Sequence, residues 1–259
     1  RFTNALPNRA TYRLLGPDRG TEAHVGIEGS VFAWGDSALG QTSVPKGMGT
    51  LRQLSAGTWH TLALQTNGTV VAWGDSTDGK LSVPNTLQSV VAVAAGGNHS
   101  LALDAEGRVT GWGRNTSGQA TAPVFSAPVT AIAAGGDYSL ALLADGTVTA
   151  WGRNNYGQTT VPATLGPCRS MSAGAFHSVA VKQDGTLAAW GRNNYLQCDP
   201  PAGLLDAVQV SAGGFHNLAL RSDGRLWWKT SLSIDATNST DLANGAWHHF
   251  AAVHDGSVA

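Results

Sequence analysis

The pair Trp-Gly recurs at Trp34, Trp73, Trp112, Trp151 and Trp190, each 39 residues after the last with no insertion. A fixed period of this length marks a repeat architecture, in which each unit buries its apolar faces against the next copy. Three further ladders keep the step: Pro45, Pro84, Pro123, Pro162 and Pro201; Gly57, Gly96, Gly135, Gly174 and Gly213; Gly68, Gly107, Gly146, Gly185 and Gly224. Two others hold the step while changing residue: Gln41, Lys80, Gln119, Gln158, Gln197, and His60, His99, Tyr138, His177, His216.

Within one unit, residues 69–73, 80–83, 89–95 and 99–103 are short runs that read as strands, four to a unit. Asn67-Gly68, Glu106-Gly107, Asp145-Gly146, Asp184-Gly185 and Asp223-Gly224 supply the positive-φ glycine of a tight hairpin. Four short antiparallel strands in each unit predict the blade of an all-β protein, a β-propeller. Residues 31–225 hold five clear blades, leaving 1–30 and 226–259 as degenerate terminal units. Gly29 keeps the step and residues 22–25 read as a decayed strand, whereas residues 1–20 have no place in the pattern. Ala63, Ala102, Ala141, Ala180 and Ala219 repeat between larger residues, which implies close packing at that position.

Composition narrows the function. The 259 residues carry a net charge of -1, without the basic excess that nucleic-acid binders use, so nucleic acid is not expected as a partner. Apolar runs stay far below the roughly 20 residues of a spanning helix, so no membrane insertion is expected. No Gly-x-Ser-x-Gly elbow, Walker loop or His-Glu-x-x-His helix occurs, and neither a catalytic residue nor a cofactor is expected. The His ladder invites a metal, but Tyr138 in the third place is a poor zinc ligand, so the ladder reads as structural, each ring nitrogen satisfying a buried backbone group in its own blade. The Trp ladder reads as packing between blades. Cys168 and Cys198 fit no metal cluster and could pair. Asn67, Asn98, Asn115 and Asn238 head Asn-x-Ser/Thr triplets that follow from turn composition.

Residues 151–158, Trp-Gly-Arg-Asn-Asn-Tyr-Gly-Gln, and residues 212–216, Ala-Gly-Gly-Phe-His, resemble the repeats of the regulator of chromosome condensation family. The compact unit, with Val-Pro after the Gln, is similar to bacterial members, among them propeller-type β-lactamase inhibitory proteins. The resemblance covers residues 31–225 and implies a propeller that binds proteins through its loops. Nucleotide exchange is not implied, because the longer repeats of the eukaryotic branch have no counterpart here. Residues 244–257, with Trp247-His248-His249, resemble a strand and turn of laminin-G-like (concanavalin-like) domains, and read alternatively as a shortened closing blade.

Two ladders depart from the framework and mark candidate binding positions. Just before the His position stand Trp59, Asn98, Asp137, Phe176 and Phe215, and just after Trp-Gly stand Asp36, Asp75, Arg114, Arg153 and Arg192. Tyr156 and Tyr195 follow the last two arginines. Loops on one face of the disc would present these side chains to a partner, and aromatics on rigid loops are frequent anchors. The acidic units precede the basic ones, giving two charged sectors. Together these features predict a non-catalytic binding module for a protein partner, with glycan as an alternative ligand, in an extracellular or cell-surface protein. The chain opens on Arg1 rather than Met and shows no charged-then-apolar leader, as a piece of something longer or an already processed chain would. An enzyme inhibitor, an architectural spacer and a non-catalytic domain of an enzyme are the competing roles.

Overall fold

A computed structural model describes residues 24–25, 31–229 and 235–237. Hairpin β1 (His24–Val25) and β2 (Val31–Phe32) comes first. Then follow β3 (Leu51–Ala56), β4 (His60–Gln65), β5 (Val70–Gly74); β6 (Val90–Ala95), β7 (His99–Asp104), β8 (Val109–Gly113); and β9 (Val129–Ala134), β10 (Tyr138–Leu143), β11 (Val148–Gly152). The last two groups are β12 (Cys168–Ala173), β13 (His177–Lys182), β14 (Leu187–Gly191), and β15 (Ala207–Ala212), β16 (Asn217–Arg221), β17 (Leu226–Lys229), β18 (Asp235–Thr237). Each group is one antiparallel sheet in chain order, and consecutive sheets stack through their first two strands. No helix among the described residues is long and apolar enough to cross a membrane.

The hairpins form as the repeated glycines predict, with Gly68, Gly107, Gly146, Gly185 and Gly224 all at φ between 80° and 86°. The register of β1 on β2, Val25 opposite Val31, is that of β4 on β5 moved back one unit, where Leu64 faces Val70. Of the strand expected at residues 22–25, the described His24 and Val25 pair in the register of the repeat.

Four strands per unit is not what the first four units show: each described sheet there has three. The run at 80–83 is turn and loop. The physical reason lies in the Gln ladder. The side-chain oxygens of Gln41, Gln119, Gln158 and Gln197 accept the backbone N–H two residues earlier at 2.8–2.9 Å, closing a tight turn. The carbonyl of the same ladder residue accepts the indole N–H of the following unit's Trp, as Trp112 to Lys80, Trp151 to Gln119 and Trp190 to Gln158, each at 2.9 Å. The segment is thereby committed to its turn and to the neighbouring blade. A fourth strand, β18, appears only in the last described sheet, paired with β17.

The core lies between blades. Leu62 and Leu64 of one sheet pack on Val93, Ala102 and Trp112 of the next. Leu101 and Leu103 then meet Ala141 and Trp151, and Leu140 and Leu142 meet Ala180 and Trp190. The Ala ladder is small because the preceding blade's branched pair fills that space; Ala63, Ala141 and Ala180 have no exposed surface. Gly96 is equally constrained, since a Cβ there would lie 2.6 Å from the Gly135 carbonyl and 2.5 Å from its own unit's His99.

Polar bonds cross the same seams. His60 Nε2 meets Ser100 Oγ and His99 Nε2 meets Ser139 Oγ, both at 2.9 Å, while His177 Nε2 meets Asn217 Oδ1 at 2.9 Å. Ser139 Oγ in turn donates to the Gln119 carbonyl at 2.8 Å, the oxygen that also receives Trp151. The serine hydrogen is thus engaged, so the ring must donate from Nε2 and is neutral with a bare Nδ1. Tyr138 serves the same seam, its hydroxyl donating to the His177 carbonyl. The expectation that each His satisfies backbone in its own blade is corrected: Nε2 reaches the next blade's side chain, and the Nδ1 atoms of His60, His99 and His177 are buried with no partner. Burial pushes His60 and His99 down to about 4 and lowers His177 as well.

Cys168 and Cys198 are free. Cys168 opens β12 opposite Lys182 at the hairpin edge, whereas the Cys198 thiol lies 3.2 Å from the Arg192 carbonyl at the loop edge, so blade height separates them. The laminin-G-like segment at 244–257 lies outside the described residues.

Candidate binding face

In each three-stranded sheet, the turn between the first two strands and the end of the third lie at one edge, because the strands are antiparallel. The two variable ladders meet there. Asp75, Arg114, Arg153 and Arg192 each donate their backbone N–H to the carbonyl of Trp59, Asn98, Asp137 and Phe176 respectively, at 2.8–2.9 Å. Residues 16 apart in sequence are therefore neighbours on the same edge in these four units.

The loops bearing these residues are braced internally. Asn115, Asn154 and Asn193 accept the backbone N–H five residues on at 2.8–2.9 Å, and their amides donate to Thr121, Thr160 and Asp199. These side chains hold the loop as Asx turns do, by replacing backbone partners.

What the edge presents differs around the ring. In the first complete unit, Trp59 is 40% exposed, and Lys80 replaces Gln. Lys80 cannot accept the turn N–H; its ammonium instead donates to Asp75 at 2.5 Å and Thr77 at 2.8 Å. Those bonds hold the Asp75 carboxyl well below the usual range. In the third unit Asp137 pairs with Arg153 at 3.2 Å. Asn98 sits between these units, half-buried. Asp75 and Arg153 are thus neutralised by local pairing, whereas Arg114 donates to Thr116 and has no ion pair among the described residues.

The next unit breaks that pattern. Phe176 stands where Asp137 stood, and Arg192 has no ion pair among the described residues. Its guanidinium carbon lies 5.2 Å from the centre of the Tyr156 ring, 5.7 Å from Phe176, 5.7 Å from Phe215 and 6.0 Å from Tyr195. The rings also touch one another: Tyr156 on Phe176 at 5.5 Å, Phe176 on Phe215 at 6.4 Å and Tyr195 on Phe215 at 5.2 Å. Tyr156, Tyr195 and Phe215 are each about half exposed, whereas Phe176 is more covered. A small cavity of about 50 Å³ opens beside Tyr195 and Phe215, floored by Asn217 and Ala219.

Of the nine expected binding residues, the structure joins five in this cluster: Tyr156, Phe176, Arg192, Tyr195 and Phe215. Arg153 and Asp137 form a separate pair, and Asn98 and Trp59 lie on the same edge in earlier units. The convergence of these side chains is not readable from the spacing; its signal is Phe at 176 in place of an acid while the arginine 16 residues on, Arg192, is kept.

Comparison with known proteins follows the same lines. The family model for the regulator of chromosome condensation (RCC1) repeat matches residues 51–80, 90–119, 129–158, 168–197 and 207–227, more than half of the chain. No curated protein matches the chain by sequence. Among solved structures, the ectodomain of the Physcomitrella patens receptor kinase CR4 aligns at a TM-score of 0.67 and 24% identity, over 81% of this chain and 59% of its own. This chain therefore spans about three fifths of that relative's length. Prp20p from Saccharomyces cerevisiae aligns at 0.67 and 21% identity, over 84% of this chain and 73% of its own. The CRINKLY WD40 ectodomain of the Arabidopsis thaliana receptor kinase ACR4 aligns at 0.63 and 21%, over 78% and 74%. Likeness at these identities is likeness of fold, a propeller of small antiparallel sheets. With five repeats matched in the register of its five stacked sheets, the chain belongs to the regulator of chromosome condensation (RCC1) repeat family.

Proposed function

We propose that the chain is a rigid, non-catalytic binding module that recognises a protein partner through its loop edge. The five repeat units are its blades, with residues 1–30 and 226–259 as degenerate terminal units or, at the second end, the start of a laminin-G-like domain. An extracellular or cell-surface setting suits the low charge and the Gly-, Thr- and Asn-rich turns.

One observation carries the reading: four aromatic rings and an arginine without an ion pair among the described residues converge on the edge where the repeat varies, on loops braced by their own Asn side chains. Rigid aromatic and arginine side chains are the residue types that dominate protein interfaces. Relatives of the same fold support a protein partner, since Prp20p is described with binding to Gsp1p and histones, and yeast RCC1 (Prp20) as bound by Kap60.

The test is affinity capture from the native surroundings with three baits: wild type, a Tyr156→Ala/Tyr195→Ala/Phe215→Ala variant, and Glu106→Ala on the opposite edge. Partners should be retained by wild type and Glu106→Ala and lost by the aromatic variant at an unchanged far-UV spectrum. Undiminished capture by the folded aromatic variant would refute the loop edge as the binding surface.

A further inference from the structure

The geometry points to Arg192 and its four rings as a carboxylate receptor, the docking point for an Asp or Glu side chain on a protein partner. The inference rests on reading the loop edge as a binding surface, and adds the chemistry of what it binds.

Arginine carries five N–H donors and a permanent charge. One unit earlier the same fork is served from within, by Asp137 on Arg153. At Arg192 that acid is Phe176, and neither a hydrogen bond nor an ion pair from its side chain is present among the described residues. Its Nε is buried without an acceptor, whereas the two Nη groups are not sealed in this way and remain available to solvent. Four rings at 5.2–6.0 Å hold the guanidinium by cation–π attraction, which neither neutralises the charge nor satisfies a donor. The outcome is an arginine fixed in place with an open Nη pair.

A carboxylate fits that pair bidentately, and little side-chain ordering remains to oppose its binding. The rings also exclude water from the flanks, which strengthens the ion pair relative to an exposed one. A phosphate would share the geometry but carries up to two charges and is usually met by a cluster of arginines. Here the neighbouring Arg153 is held by Asp137, so within the aromatic cluster Arg192 is a single cation without an ion pair among the described residues, which matches a monoanion.

The experiment titrates the isotope-labelled full chain with N-acetyl-Gly-Glu-Gly-amide, its Gln analogue and its phosphoserine analogue, following the side-chain resonances of Arg192, Tyr156 and Tyr195. The Glu peptide should give saturable shifts that weaken with salt, and the Gln peptide should bind at least about tenfold more weakly, a difference of about 1.4 kcal/mol. Arg192→Gln should abolish the response and Arg192→Lys should weaken it, whereas Arg153→Gln should leave it unchanged; a melting curve checks that each variant folds. Equal response to Glu and Gln peptides, no saturable response, or persistence in Arg192→Gln would overturn the assignment. Phosphoserine binding more than about tenfold above Glu would overturn it in favour of phosphate. Capture lost by the aromatic variant together with indistinguishable Glu and Gln peptides would remove the carboxylate and leave the binding face standing.

Discussion

Phe176 and His177 are adjacent in the chain and belong to regions built on opposite terms. His177 faces the seam between blades, has no exposed surface and bonds to Asn217 of the next unit. Phe176 faces the loop edge, where it packs on Tyr156 and helps enclose an arginine that has no acid among the described residues. Across units the seam position is His in all but one place, where Tyr138 reaches the same neighbouring blade. The loop position holds Trp, Asn, Asp or Phe. The seam must reproduce one geometry at every step, because each blade is both donor to the next and acceptor from the last. At the edge no one side-chain bond between blades is repeated from step to step among the described residues, so the side chains there are free to serve something else. Stability should therefore respond to changes in the seam and binding to changes in the edge.

Acid provides the strongest attack on the seam. His60 and His99 are neutral in the folded protein, pushed by burial from 6.5 to about 4. Between those values the unfolded chain binds protons that the folded chain refuses, so stability is fully present above about pH 6.5 and falls as the pH drops toward 4. Each ring accounts for about 3 kcal/mol, and two together approach the whole stability of an ordinary domain. Urea melts from pH 7 to 4 should show this loss, and a His60→Gln/His99→Gln variant should flatten the slope. A midpoint indifferent to pH over that range would mean the rings are not held neutral by the seam.

Steric change comes next. Ala141 has no exposed surface and lies in the cluster with Leu101, Leu103 and Trp151 of the two facing blades. Ala141→Leu adds three carbons to a filled seam and should lower stability by ~1–3 kcal/mol. Thermal melts of this variant against Tyr156→Ala make the contrast between regions direct, since the second substitution should barely move the midpoint.

Much of this division was legible in the sequence. The period, the hairpin glycines, the small Ala position and the register of β1 all follow from the spacing, because each is dictated locally or by one identical neighbour. The run at 80–83 was misread because strand propensity is blind to a carbonyl recruited by a tryptophan 32 residues later. The His bonds were misplaced for a related reason: the acceptor sits in the next unit, at Ser100, Ser139 or Asn217. A polar residue repeated directly after the His in an otherwise apolar strand was the available clue. Individual members of the aromatic cluster were readable as variable positions. Their convergence on Arg192 depends on how far one blade turns relative to the next, which no spacing encodes.

The smallest expected change in stability carries the sharpest test of the edge. Phe176→Asp rebuilds at Arg192 the arrangement already present at Asp137 and Arg153, whose pairing distance is 3.2 Å. The scaffold is the same in both units, with the Arg192 N–H on the residue 176 carbonyl as the Arg153 N–H is on Asp137. An acid placed there should satisfy the open Nη pair from within. Exposed pairs of this kind contribute about 0–1 kcal/mol, so the melting temperature should hardly change while the response to the Glu peptide disappears. The reciprocal Asp137→Phe releases Arg153 from its acid and should create a second, weaker response one blade away. Retention of the Glu response in folded Phe176→Asp would show that the missing acid is not what leaves Arg192 open, and that seam and edge differ only in exposure.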